Sequence, residues 1–323
     1  MDNHTILVLA NPAERQLAML EALPGDPNLA VGDNIDAFTR AAADADVIFS
    51  WSISGELLER VWEISPRVRW VHSRSAGLDG VLFPRLIESP VPVTNGGGLF
   101  SPSLGEFFIG AALFFAKDFR RMVRSQEAGV WDPFDIVEVA GQTVGIVGYG
   151  DIGRACAARA RALGMKVLAV KRHGPMLYNM DHLVDRTFGP DGLGQVLEQS
   201  DYVVVSAPLT PETRGMISDA QFARMKPTAV IINIGRGPVV DEAAMVRALE
   251  QRRIRGAALD VFEREPLPPG HPFYRLDNVL LSPHCADHTP DWLDRAMRFF
   301  VEQYGRYVAG EPLQNVVKKT LGY

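Results

Sequence analysis

The sequence predicts an α/β fold of two domains, each built on a parallel sheet with helices on its faces. Three observations predict it. Short apolar runs alternate with helical patterns along most of the chain. One strand-helix-strand unit turns at three glycines spaced G-x-G-x-x-G, namely Gly148, Gly150 and Gly153. A length of 323 residues is long for one core and comfortable for two.

Taken in order, residues 6–10 are an apolar strand, and the residues before them lack the basic flank and cleavage site of a secretory signal. Residues 14–23 predict a short helix and 46–50 a strand ending at Trp51. Residues 55–64 predict a helix, with Leu57, Leu58, Val61 and Ile64 on one face. The strand 68–72 runs into Ser75, Ala76 and Gly77, and the strand 91–94 runs into Gly96, Gly97 and Gly98. A long helix is expected over 101–126, capped by Ser101 or Ser103, with Pro102 in its first turn and a capping box from Ser103 to Glu106. Its apolar surface suits burial between domains or subunits. The first domain therefore ends near Leu99.

The strand 144–147, the glycine turn, the helix 154–164 and the strand that follows form the central βαβ unit. A polar stretch punctuated by Gly and Pro comes after it. Helices are then expected at 193–199, 241–251 and 292–308, and strands at 202–206, 229–234, 256–262 and 279–282. The last helix could fold back on the first domain.

Composition narrows the function classes. A formal net charge of −6 gives no basic footprint for nucleic acid, and no apolar stretch is long enough to span a membrane. The two cysteines, Cys156 and Cys285, are too few for a disulfide framework and suit a reducing cytoplasm.

In the glycine turn, Gly148 permits the tight bend, Gly150 admits a pyrophosphate to the backbone, and Gly153 lets helix pack on strand. The helix N-terminus offers N–H groups and a positive dipole end to that anion. Dinucleotide sites that prefer NAD usually place a carboxylate about 20 residues on, at the end of the second strand. This chain has Lys171, Arg172 and His173 there. Cations attract a 2′-phosphate that a carboxylate would repel, so the pattern reads as NADP(H) preferred and NAD(H) possible. The plain alternative is that these bases are solvated loop charges.

Ligands of such sheets sit at the carboxyl ends of the strands. That rule gathers Trp51, Ser75, Ala76, Gly77 and the Gly96 to Gly98 loop near one ligand. Ser75 to Gly77 form either an N–H nest for a carboxylate or an ordinary turn. Trp51 and Leu99 either restrict the pocket or, in the case of Trp51, cap the core. Arg236, Glu265 and His284 all follow strands of the second domain. Reduction of a ketone needs a cation to hold the substrate carboxylate, an acid to protonate the forming alkoxide, and a carboxylate to orient that acid. Arg236, His284 and Glu265 fill those roles, and a neighbouring carboxylate raises a histidine pKa. Cys285 is expected as a small packed thiol, and His284, Cys285 and His288 lack a fourth partner for a metal, so none is assigned.

Together these stretches resemble the D-isomer-specific 2-hydroxyacid dehydrogenase family. The likeness is carried by residues 75–79, 94–95, 141–153, 208–213, 232–237, 259–267, 282–284 and 310–317, in family order over nearly the whole chain. It implies two Rossmann-like domains, the cofactor domain (101–289) being inserted in a discontinuous flavodoxin-like substrate domain (1–100 and 290–323). It implies a homodimer built through the cofactor domain, and a small 2-oxoacid of the glyoxylate or hydroxypyruvate kind reduced to the D-2-hydroxyacid. Arg236 would bind the oxoacid, His284 would be the acid/base and Glu265 its partner, with Ala76 and Gly77 contacting substrate. The cofactor would be held by Gly148, Tyr149, Gly150, Asp151, Ile152, Gly153, Lys171, Arg172, Ala207, Pro208, Thr213, Ile234, Gly235, Arg236, Asp260, His284 and Ala286. Residues 285–288 depart from the family's apolar residue and glycine. A 3-phosphoglycerate dehydrogenase is the second enzymatic reading, and a non-catalytic dinucleotide-sensing scaffold is the rival from another class. Formate dehydrogenases of similar sequence pair the histidine with Gln, so Glu265 counts against that activity.

Overall fold

The computed structural model describes residues 3–51, 55–172 and 181–322. The chain divides into two compact units, one of Met1–Phe100 with Thr289–Tyr323 and the other of Ser101–His288.

The first unit holds β1 (Thr5–Leu9), β2 (Asn28–Gly32), β3 (Val47–Ser50), β4 (Trp70–Ser73) and β5 (Val93–Asn95). Every pairing between them is parallel, in the order β2-β1-β3-β4-β5. That is the flavodoxin-like order, with its reversal between β1 and β3. β1, β3 and β4 are buried throughout, because helices cover both faces of a parallel sheet. The C-terminal helix Trp292–Ala309 lies against this sheet, with Phe300 stacked on Phe49 at 3.8 Å between ring centroids. Val316 then bridges Thr94 in antiparallel sense.

The second unit holds β6 (Thr143–Val147), β7 (Lys166–Val170), β8 (Arg186–Phe188), β9 (Tyr202–Val205), β10 (Val230–Asn233), β11 (Gly256–Leu259) and β12 (Val279–Leu281). These pair in parallel in the order β12-β11-β10-β9-β6-β7-β8, a Rossmann arrangement extended by one strand. The order reverses between β6 and β9, so the turn after β6 opens at the switch point. A continuous apolar core of Val, Ile, Leu and Phe side chains fills one face of this sheet.

Two expectations need correction, and two strands are added. The long helix is two helices, Ser101–Ala116 and Phe119–Glu127. Asp118 separates them in a left-handed conformation (φ 50°) and caps the second by accepting from Arg121 N at 3.3 Å, and Asp suits both roles. Ser103 caps nothing: it lies inside the first helix and donates to Ala286 O at 2.7 Å. β2 and β8 are strands beyond those expected: each is a short edge strand with an exposed beginning, and the apolar run of β2 is only Leu29 to Val31. Among the described residues no helix is long and apolar enough to cross a membrane.

Candidate active site and dinucleotide site

The glycine turn after β6 is built as its residue types require. Gly148 has φ +98°, and a Cβ there would lie 2.4 Å from Ala207 N, on the loop that leaves β9. A Cβ on Gly153 would lie 2.4 Å from Gly148 O. Gly150 differs: a Cβ on it would meet nothing within 4 Å. The protein itself does not need that position bare. Open space at the head of the helix Asp151–Ala162, whose start has no side-chain cap, suits a pyrophosphate drawn close to the backbone. The residues present therefore fit a dinucleotide.

Tyr149 faces inward rather than toward that space. It is buried, and its hydroxyl donates to Asp181 Oδ2 at 2.7 Å, the oxygen that Arg154 Nε also reaches at 3.1 Å. Burial, then the bond to Asp181, pushes the Tyr149 phenol up. Asp151 and Ile152 form the first helical turn after it.

At the end of β7, Lys171 bonds Phe188 O through its backbone. Arg172 Nη2 donates to Thr210 Oγ1 at 3.0 Å and lies 3.4 Å from Glu212 Oε2. His173 and the polar stretch up to residue 180 lie outside the described residues. The loop after β9 is locked by Thr213, whose hydroxyl accepts from Thr210 N at 2.8 Å and donates to Pro208 O at 2.6 Å. Ala207 and Ile234 are buried, and Ile234 N bonds Val205 O at 3.1 Å.

Three strand ends deliver the ionisable residues. β10 ends at Asn233, which is fully buried; its side chain accepts from Gly235 N at 3.2 Å and donates to Arg236 O at 3.2 Å. That clasp shapes the turn carrying Arg236. Gly237 follows because a Cβ there would sit 2.0 Å from the Phe262 carbonyl. After β11, Glu265 turns back so that Oε1 accepts from Phe262 N at 2.9 Å. Its other oxygen, Oε2, meets His284 Nδ1 at 2.6 Å.

His284 is left-handed (φ 52°), a conformation uncommon for a side-chain-bearing residue, and its neighbours hold it there. Buried Asp260 does this with one oxygen: Oδ1 accepts from Ser282 Oγ at 2.6 Å, Cys285 N at 2.9 Å and Ala286 N at 3.0 Å. The sequence reading gave Asp260 a cofactor contact and missed this bracket, which no local spacing reveals.

The pair is electrically matched. The bond to Glu265 raises the His284 pKa above its ordinary value, against burial and the Arg236 charge. Burial alone would raise the Glu265 carboxyl, but the bonds from His284 and Phe262 N and the charges of His284 and Arg236 hold it below the usual range. With Nδ1 engaged, Nε2 is the ring atom left to carry a proton outward. Arg236, Glu265 and His284 are thus brought within one electrostatic neighbourhood, able to bind an anion and deliver a proton.

In the first unit, Ser75 O accepts from Gly96 N at 3.3 Å and Ala76 O accepts from Asn95 Nδ2 at 2.7 Å. The loop with Gly77 is therefore tied down through its carbonyls. The Leu99 carbonyl accepts from Arg295. Trp51 is fully buried, edge-on to Phe49, so it packs as core and offers a substrate no accessible surface. Cys285 is exposed rather than packed as a buried thiol: Asp260 holds its backbone N–H, and its Sγ lies 3.5 Å from Ser282 Oγ. Among the described residues no three His, Cys, Asp or Glu side chains gather as a metal site.

Residues 109–286 match the family model for the D-isomer specific 2-hydroxyacid dehydrogenase NAD binding domain. A glyoxylate reductase of Korarchaeum cryptofilum is 33% identical over 285 residues, 85% of this chain and 83% of that one. A D-3-phosphoglycerate dehydrogenase of Methanocaldococcus jannaschii is 31% identical over 97% of this chain and 59% of its own length. The solved NADPH-dependent glyoxylate/hydroxypyruvate reductase of Sinorhizobium meliloti, in complex with NADP and sulfate, superposes with a TM-score of 0.84 at 28% identity, covering all of both chains. A domain matched through its glycine turn and its histidine loop, in a chain alike over most of its length, places it: the protein belongs to the D-isomer specific 2-hydroxyacid dehydrogenase family and is an NAD(P)-dependent oxidoreductase.

Proposed function

We propose that this chain reduces small 2-oxoacids, glyoxylate and hydroxypyruvate foremost, to D-2-hydroxyacids, with NADPH preferred to NADH and His284 as proton donor. The observation that carries the reading is the Glu265–His284 pair, 2.6 Å apart, in the field of Arg236. When bound, the reduced nicotinamide supplies a hydride to the substrate's carbonyl carbon. Arg236 holds the substrate carboxylate and polarises its carbonyl. His284 Nε2 gives its proton to the oxygen as the alkoxide forms, and Glu265 fixes the ring and stabilises its charge. Ser75, Ala76 and Gly77 contact the substrate through their backbone, and Asp260 meets the carboxamide through the oxygen not committed to the histidine loop.

The NADPH preference rests on Lys171 and Arg172, which occupy the end of β7 where NAD-preferring sites usually carry an acidic residue. The glyoxylate reductase names among the relatives support the substrate class. We further propose a homodimer in a reducing cytoplasm. Phe119, Met122, Val123, Val130, Trp131 and Ile136 are all exposed within one short stretch, Trp131 by 96%, which suits a subunit interface.

The test is initial-rate reduction of glyoxylate, hydroxypyruvate, pyruvate and 3-phosphohydroxypyruvate with each cofactor. Expected is turnover of the first two, with kcat/KM for NADPH at least ~10-fold above NADH, the value of one good charge-assisted contact. Equal efficiency with both cofactors would remove the cofactor part. Fastest turnover of 3-phosphohydroxypyruvate would favour the second reading, which the Methanocaldococcus relative supports. Glycolate has no stereocentre, so oxidation of D- against L-glycerate tests the product's hand.

A further inference from the structure

Arg172 stands just past the end of β7, and in this structure it already has an anion. Its Nη2 donates to Thr210 Oγ1 at 3.0 Å and lies 3.4 Å from Glu212 Oε2. The Thr210 hydroxyl donates to the same carboxylate oxygen at 2.8 Å. Thr210 is buried and Thr213 locks its turn, so the acceptor is presented by a fixed loop. The Thr210 bond, first among several causes, holds the Glu212 carboxyl below its usual range, so it is charged at neutral pH. The Arg172 side chain is 29% exposed and that of Glu212 is 71% exposed, an anion on the rim beside a sheltered cation.

We propose that Glu212 is a built-in stand-in for the cofactor's 2′-phosphate and sets how strongly this chain prefers NADPH to NADH. The inference rests on the reading of Arg172 as the partner of that phosphate. A sheltered guanidinium is poorly satisfied beside a bare ribose hydroxyl. Glu212 neutralises it when the dinucleotide lacks the 2′-phosphate, which keeps NADH usable. When the phosphate is present, two anions share one guanidinium, and their mutual repulsion limits the gain. Glu212 is thus a specificity-determining residue that narrows the preference Arg172 creates.

Glu212→Gln removes the charge and keeps an oxygen for Thr210 and Arg172. Its effect is read by calorimetric titration with adenosine 2′,5′-bisphosphate and with 5′-AMP, which differ only in the 2′-phosphate and involve no turnover. Expected for the variant is roughly 3- to 10-fold tighter binding of the bisphosphate, from Coulomb repulsion across several ångströms of solvent, shrinking as salt rises. 5′-AMP should bind more weakly, because the guanidinium beside the bare hydroxyl loses its neutralising partner. Arg172→Ala, measured in parallel, should bring the bisphosphate down toward 5′-AMP, and thermal unfolding checks that both variants fold. Unchanged or weaker bisphosphate binding in Glu212→Gln, or equal tightening of both ligands, overturns the inference while the Arg172 result leaves the cofactor reading standing. If Arg172→Ala leaves the ratio of the two ligands unchanged, the 2′-phosphate reading fails and this inference with it.

Discussion

Two histidines, one in each unit, show how surroundings decide what an imidazole does. His72 lies in β4, fully enclosed, with the rings of Phe49, Trp70, Phe299 and Phe300 within 6 Å of its own. Its Nδ1 is 2.7 Å from Thr94 Oγ1, which also accepts from Trp70 Nε1 at 2.8 Å. Burial pushes its pKa down to about 3, so it stays neutral and serves the core. His284 is partly open, faces a carboxylate at 2.6 Å, and is shifted upward. Both follow apolar runs and look alike in sequence. The charged partner, not the residue type, separates an acid from a packing element.

The largest expected break in that comparison is His284→Ala. It should lower kcat about 10²- to 10⁴-fold, the usual contribution of a positioned acid, with dinucleotide binding and thermal stability nearly kept. His72→Ala should do the reverse. A cavity among aromatic rings costs about 2–4 kcal/mol of stability, seen as a lower denaturant midpoint, while kcat of the folded fraction holds. The same variant tests linkage. His72 is depressed in the fold, so the unfolded chain binds the extra proton between its ordinary pKa of 6.5 and about 3, and stability falls as pH drops through that window. Removing His72 should flatten that slope.

The smallest effect sharpens the contrast. Glu265→Gln keeps a bond to His284 but loses the charge, so kcat/KM at neutral pH should fall about 10-fold. On the proposed mechanism His284 must be protonated for reduction, so activity should be lost as pH rises through its raised pKa. Without Glu265 that loss should begin at lower pH in a pH-rate profile. An unmoved profile would assign the basic limb to another group.

Much of the candidate site could be picked out before any fold was known, because its side chains lie next to strand ends. Gly148, Gly150 and Gly153, Arg236, Glu265 and His284 each follow an apolar run, and position in a parallel sheet converts that order into proximity. The edge strands β2 and β8 could not be read, since an edge has one neighbour and tolerates exposed polar residues. Nor could the break at Asp118: Asp is tolerated within a helical pattern, and only its left-handed backbone ends the helix. Trp51 shows the same limit from the other side. Its place at a strand end suggested a ligand, while its enclosure makes it core.

The sequence by itself determined the fold class and the glycine turn, and it singled out Arg236, Glu265 and His284 as candidates, because local periodicity, glycine spacing and position after apolar runs are local features. Tertiary structure alone decided which oxygen meets which nitrogen. Asp260 gathers three donors around His284, Asn233 shapes the Arg236 turn, and Glu212 reaches Arg172 across 40 residues of chain. Hydrogen bonds and charges act over a few ångströms of space, whatever the distance along the chain, and only the packed sheet sets which residues lie within that reach.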